Sequence, residues 1–237
     1  MNDLYIVRIF AYSVFPLLLA GAHILLDRNT HTTAQRIEIV VMYLLAISVG
    51  ANGLGGAFGH LFLSDLVAEG IGWGTGSPFQ LEMGFANLAL GVLGIMAIGR
   101  GQDFRVATII ATTVIGGGAT IVHLMDIIAH GNLAPGNTIQ NIGNLLDPIL
   151  LIILTVWSAR LTIDNVPAFE NWQFQQAPIV GMAAAGIGMG FGIGYALNAL
   201  LLVTLLGGLI GAGIGIIVRQ GHQQHIDTLS TEHSQVG

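Results

Sequence analysis

The sequence predicts an all-α fold, a polytopic transmembrane helical bundle of about seven spans with its N-terminus outside and its C-terminus cytoplasmic. Three observations carry that expectation. Of 237 residues, 53% are hydrophobic and 8% charged, and the mean hydropathy is +0.76. A soluble domain carries about 25% charged residues, so this chain lacks the charge to cover a water-facing surface. Apolar runs of roughly 20 residues recur, each long enough to cross a ~30 Å hydrocarbon core as a helix. The basic residues, all of them arginine, alternate loop by loop.

The first span runs from Leu4 to Leu26 and closes at Asp27-Arg28. The second extends from about Arg36 to Leu63, the third from Phe79 to Gly99 and the fourth from Phe104 to about His130. Asn144 to Ile163 forms the fifth, Pro178 to Leu197 the sixth and Leu200 to Val218 the seventh. Asn198 is the one polar break between the last two, so a very short loop or a bent hairpin is expected there. Residues 1–220 thus form the bundle and residues 221–237 a polar cytoplasmic tail. That tail holds His222, His225 and His233, but its composition reads as solvated and irregular before it reads as a metal tract. Ala20-Gly21-Ala22 resembles a signal-peptidase site; the segment is expected to remain as the first span.

Orientation follows from the arginines. Arg28 and Arg36 flank the first loop, Arg100 and Arg105 the third, while Arg160 ends the fifth span and Arg219 the seventh. The second loop, Asp65 to Pro78, and the fourth, Gly131 to Gly143, contain no Lys or Arg. Arg8, inside the first span near its outer end, is expected to snorkel to the interface. The expected location is a cell membrane, the bacterial inner membrane first, with the lipid bilayer as the surrounding partner. The absence of cysteine excludes a disulfide scaffold. Scattered arginines and a net charge of -6 argue against nucleic-acid binding.

Ionisable residues within spans cost about 2.5–3.5 kcal/mol each at mid-membrane and mark function. His60 lies near the outer end of the second span, with Asp65 beyond it. Glu82 falls in the first turns of the third. His123, Asp126 and His130 occupy the outer end of the fourth, and Asp147 begins the fifth. Four consecutive helices therefore bring imidazole and carboxylate groups to one side of the membrane. His123, Asp126 and His130 share a helix face at i, i+3 and i+7, continued inward by Ala119, Gly116 and Thr112. Gly53, Gly56 and His60 share a side of the second span; Gln80, Gly84, Asn87 and Gly91 form a stripe on the third.

Imidazole with carboxylate suits zinc, iron, copper or manganese. The metal-ligating candidates are His60, Glu82, His123, Asp126 and Asp147, with Asp65, Gln80, Asn87 and His130 in support. His60 and His123 as axial ligands to haem form a weaker version of the same idea. Each residue has a plainer reading: Asp65 and Glu69 as loop acids, Glu82 and Asp147 as first-turn acids favoured by the helix dipole, His60 as an interfacial histidine. Pro148 is harmless in a first turn. His123 and Asp126 sit inside an apolar run and are the hardest to explain structurally. A proton- or cation-coupled transporter of small solutes is the alternative, though no inverted repeat is visible. A structural subunit of a larger membrane complex is the other.

Glycine at alternate positions from Gly70 to Gly76, then Ser-Pro, gives a segment able to lie across the cluster as a lid. Gly186, Gly190 and Gly194 repeat every four residues, as do Gly207, Gly211 and Gly215. These faces suit close helix packing, against the bundle or in a homo-oligomer. Gly59-His60, Ser64-Asp65, Ile71-Gly72-Trp73, Gly76-Ser-Pro-Phe-Gln80, Glu82 and Ala86-Asn87-Leu88-Ala89 together resemble a motif of an uncharacterised family of small bacterial multi-pass membrane proteins. The resemblance covers residues 59–95 and implies a membrane location with no assigned activity.

Overall fold

A computed structural model of the chain describes residues 2–26, 32–161, 166–197 and 199–235. All regular structure among them is helical. Helix α1 (Asn2–Ile9) passes through a π-helical segment (Phe10–Val14) into α2 (Phe15–Leu26), and together they carry the apolar span Leu4–Leu26. Helix α3 (Thr33–Tyr43), a second π-helical segment (Leu44–Ala51) and α4 (Asn52–Phe62) form the continuous span Thr33–Phe62. A short helix α5 (Ser64–Ile71) follows, then α6 (Phe79–Ala97) and α7 (Gln102–His130). The one-turn α8 (Pro135–Thr138) leads into α9 (Gln140–Ser158), and α10 (Val166–Ala196) and α11 (Leu200–Gln235) complete the chain.

Local signals explain most boundaries. Thr32 opens α3 with a capping box: its Oγ1 accepts from the Gln35 N–H, and Gln35 Oε1 accepts from the Thr32 N–H. Gly72 and Gly131 close α5 and α7 at φ 81° and 65°, the left-handed turn that glycine adopts freely. Among the described residues, six helices are long and apolar enough to cross a membrane, as a multi-pass membrane protein requires. The expected sixth span lies within α10, whose described apolar stretch, Ile179–Gly194, is shorter. Asp27, Arg28, Ile163 and Asn198 lie outside the described residues.

Three expectations are corrected. The fifth span begins at Pro135, not Asn144. Pro-Gly reads as a turn, yet proline is also a favoured first helical residue, and here it starts α8. Asp147 and Pro148 consequently sit mid-helix in α9. The polar C-terminal segment is not irregular, because α11 continues as a helix to Gln235; extending a formed helix is far easier than nucleating one.

The second span is the axis of the bundle. Its best apolar window is 78% buried, against 22% for the first, fourth and fifth spans. Glycine makes this possible. A side chain at Gly53 would lie 2.6 Å from the Gly91 nitrogen, and one at Gly94 2.5 Å from the Gly50 nitrogen, so α6 touches the second span backbone to backbone. In lipid, where helices gain no hydrophobic energy by meeting, such close approach is the main source of attraction. The α10–α11 hairpin is built the same way: Gly186 faces the Gly207 carbonyl and Gly211 the Met182 carbonyl. Through Gly188, which abuts the Ala51 carbonyl, α10 packs on the second span. Of the two roles expected for these glycine faces, packing within the bundle is realised.

Polar groups pin both ends. At the end carrying the start of α3, buried Glu38 pairs with Arg105 of α7 and accepts from the Ser158 hydroxyl. Arg105 also donates to the Ala97 and Ile98 carbonyls, fastening the short α6–α7 connection. The two π-helical segments lie side by side, tied by Ser48 Oγ donating to the Tyr12 carbonyl at 2.5 Å.

Gly53→Ala is expected to destabilise the bundle by about 1–3 kcal/mol, since the obstructing atoms are backbone and have nowhere to move. Gly117→Ala, with nothing within 4 Å, is expected to change stability by less than about 0.5 kcal/mol. Unfolding midpoints of the two variants in detergent check the contrast.

Candidate functional site

A cavity of about 410 Å³ lies among the first five spans, toward the end that carries Trp73. The helices supply its walls in register. From α1 come Tyr5 and Arg8, and from the second span Ser48, Asn52 and His60. Asn87 comes from α6. Thr112, Gly116, Ala119 and His123 come from α7, the inward stripe legible in the sequence. Gln140, Asn144 and Asp147 complete the wall from α9.

The residues named from sequence separate into three groups. His60, His123, Asp147 and Asn87 line the cavity. Asp126, His130, Gln80 and Asp65 act around its rim. Glu82 is exposed and does not line it. Among the described residues, no three His, Asp or Glu side chains are grouped so as to hold a metal ion. His222, His225 and His233 lie outside the described side chains.

Neutral amides partner the two histidines. His60 Nδ1 is 2.7 Å from Gln80 Oε1, and His123 Nδ1 is 2.7 Å from Asn137 Oδ1. Asn137 is fixed in that sense because its Nδ2 donates to the Asn132 carbonyl. An amide oxygen accepts only, so with these amide orientations each imidazole donates from Nδ1, and in its neutral form Nε2 is the acceptor. His123 is buried and stacks on Trp73 at 5.3 Å between ring centres.

Asp126 belongs to the roof. It accepts from Trp73 Nε1 at 2.9 Å, Asn132 Nδ2 at 2.7 Å and His130 Nδ1 at 2.8 Å. Asn132 Nδ2 also donates to the Ile71 carbonyl, and glycine at position 72 leaves space for that amide. Asp65 accepts from the Gly76 N–H. The glycine-rich segment is thus tied down by two carboxylates, Asp126 at Trp73 and Asp65 at Gly76.

Asp147 and Arg8 form the deep part of the site. Asp147 is 5% exposed; Ser13 donates to its Oδ2 at 3.0 Å, while Oδ1 has no hydrogen-bond partner. A buried acceptor without a donor costs about 1–3 kcal/mol. Arg8 does not snorkel. Its guanidinium turns inward to Asn52 Oδ1, at 3.3 Å from Nε and 2.9 Å from the second nitrogen. Pro148 sharpens the wall: having no N–H, it cannot bond the Asn144 carbonyl one turn back. That oxygen lies where a side chain on Gly116 would be, 2.9 Å away, so the α7–α9 contact needs glycine.

Sequence reasoning missed Arg8, Asn52, Ser13 and Asn137. Two signals pointed to them: an arginine inside an apolar span, and a loop from Asn132 to Asn141 rich in amides without a single charge.

Asp126→Leu removes the acceptor that holds Trp73 and Asn132. Amide exchange across residues 72–78 is expected to quicken at least fivefold, with exchange in the middle of α6 unchanged; mass-spectrometric deuterium labelling reads both.

A family model described as a family of unknown function, DUF6790, matches residues 8–163. That range takes in all but the first four residues of the five spans that wall the cavity, and the residue 59–95 stretch whose motif pointed to an uncharacterised family. No curated protein and no solved structure matches the chain.

Proposed function

The chain belongs to the DUF6790 family, whose function is unknown, and we propose that it is a membrane protein that binds a small organic molecule in the cavity among its first five spans. One observation carries the reading: Asp147 Oδ1 is buried, lacks a donor and belongs to a residue of the cavity wall. The volume of about 410 Å³ falls within the ~300–1,000 Å³ range of small-molecule pockets. His60 and His123 add acceptor nitrogens and Arg8 adds a donor, so the ligand carries hydroxyl or amine donors and at least one acceptor.

The binding half faces outward on this reading, because the loops at its end lack Lys and Arg. The chain has no cysteine, so Ser77→Cys gives a single thiol in the exposed α5–α6 connection. A membrane-impermeant maleimide is expected to label it in intact cells of a bacterial host. Labelling only after the membrane is opened would reverse the orientation.

The opposite half argues against a through-path in this conformation. Leu44, Leu45, Val49, Ile109 and Leu151 form a buried apolar cluster there, closed off by the Glu38–Arg105 pair. A pocket with one open side supports binding, or chemistry on a bound molecule, ahead of conduction.

A second reading, a metal ion or haem at His60 and His123, is favoured by one feature: a histidine that donates from Nδ1 can ligate through Nε2, one of the two modes metal-bound histidine uses. Elemental analysis of the detergent-purified protein separates the two readings. Stoichiometric zinc, iron, copper or manganese, lost in His123→Ala, would replace the first with the second.

The direct test is organic extraction and mass spectrometry of the purified protein. Wild type is expected to release one small molecule in near-stoichiometric amount. Asp147→Asn, which keeps an acceptor for Ser13, is expected to release at least fivefold less at an unchanged unfolding midpoint. Equal yields from both proteins, or none from wild type, overturn the proposal.

A further inference from the structure

We infer that this cavity, if it binds as proposed above, opens sideways into the bilayer between α6 and α7 and takes a lipid-soluble alcohol. The two faces of α7 differ sharply. On one, Gly116 is packed against the Asn144 carbonyl of α9. On the other, Val114, Gly118 and Val122, spaced four residues apart, line the cavity and are also exposed. Val114 is 68% and Val122 49% exposed, and a side chain added at Gly118 would meet nothing within 4 Å. Residues that face the cavity and the outer surface together mark an opening.

Its position follows from how α6 and α7 are held. At one end the Arg105 guanidinium fastens their connection through the Ala97 and Ile98 carbonyls. At the other, the Trp73 ring bridges the gap, 5.6 Å from the Phe79 ring of α6 and 5.3 Å from the His123 ring of α7. Both ends of the slot are closed and its middle is not. Val114 lies near the centre of a 29-residue helix, about 20 Å from either end at 1.5 Å per residue. That depth is within the hydrocarbon core.

The wall chemistry identifies the ligand class. Met83, Leu90, Val114 and Val122 offer apolar surface beside the slot, while Asp147 and Asn144 stand across the cavity on α9. A hydroxyl that enters from the bilayer exchanges its partners at the interface for the unpartnered Asp147 Oδ1. Its own oxygen can accept from an amide. The Asp147 carboxyl stands at this wall, while the Arg8 guanidinium is held by Asn52 Oδ1.

The test uses diazirine-bearing hexadecanol in liposomes containing the full chain, with adducts mapped by peptide mass spectrometry. Adducts are expected on Asp147 or Leu90, which are 5% and 9% exposed, and unlabelled hexadecanol is expected to compete them away. Gly118→Leu fills the slot and is expected to cut those adducts at least fivefold. Gly117→Leu, one residue around the helix and outside the cavity wall, is expected to leave them unchanged. Val114→Trp provides a second block should Gly118→Leu lower the unfolding midpoint. Buried adducts that persist through both blocks overturn the lateral route and leave the pocket standing. Wild type with no buried adduct, but with a co-purifying molecule in the extraction above, overturns the alcohol and again leaves the pocket. An empty extract together with no adduct overturns both.

Discussion

Backbone-to-backbone contact along the second span is the constraint on which the remaining structure depends. Lipid gives two helices no hydrophobic reason to associate, so their attraction comes from close dispersion contact and from polar groups that find partners. Gly50 and Gly53 on this span meet Gly94 and Gly91 on α6, and Ala51 meets Gly188 on α10. With the second span held on these sides, its polar residues Ser48, Asn52 and His60 are left facing the cavity. Packing and site thus share one helix, and Gly53 serves both, touching α6 and lining the cavity. The glycines that seem to carry no chemistry determine where the chemistry can be.

Much of the fold was legible because membrane physics allows few alternatives. Hydropathy and length located the helices, and six of the seven expected spans are long and apolar enough to cross a membrane among the described residues. The stripe Thr112, Gly116, Ala119 and His123 was readable as an interior face from its spacing alone, and the structure turns it to the cavity. The family expectation also held, since residues 8–163 match one of unknown function. Spacing failed where the third dimension intervened. Asp126 shares a face with His123, yet it sits close enough to the helix end to be captured by Trp73 and Asn132 of the roof. Glu82 lies at the expected end of α6 but off the stripe of Gln80, Gly84 and Asn87, as its spacing implies, and is exposed. Arg8 and Asn52 are 44 residues apart, and nothing local announces their pairing. Pro135 carried two compatible signals, turn and helix start, and only the whole fold selects between them.

Neutral amides do most of the polar work inside this bundle. Gln80, Asn52, Asn132 and Asn137 each hold an ionisable neighbour in place. An amide offers donor and acceptor together without the desolvation cost of a second charge. The single ion pair between strongly buried groups among the described residues, Glu38 with Arg105, is kept at the far end from the cavity. There it closes a helix connection and leaves the field within the cavity to Arg8 and Asp147.

The π-helical segment at Phe10–Val14 acts as a rotational spacer within the first span. A π-turn accommodates one residue more than an α-turn, so everything before it is turned by about 100° relative to an uninterrupted helix. Tyr5 and Arg8 precede the segment, whereas Ala20 and His23 follow it. The lipid-facing surface of α2 and the cavity-facing surface of α1 can therefore belong to one apolar run whose sequence shows no break. Lineages that lose a single residue here would keep their hydropathy profile and their span, but Arg8 would swing away from Asn52. Variation in length at this point, invisible to any composition measure, is a means by which related chains with the same bundle could acquire differently charged interiors.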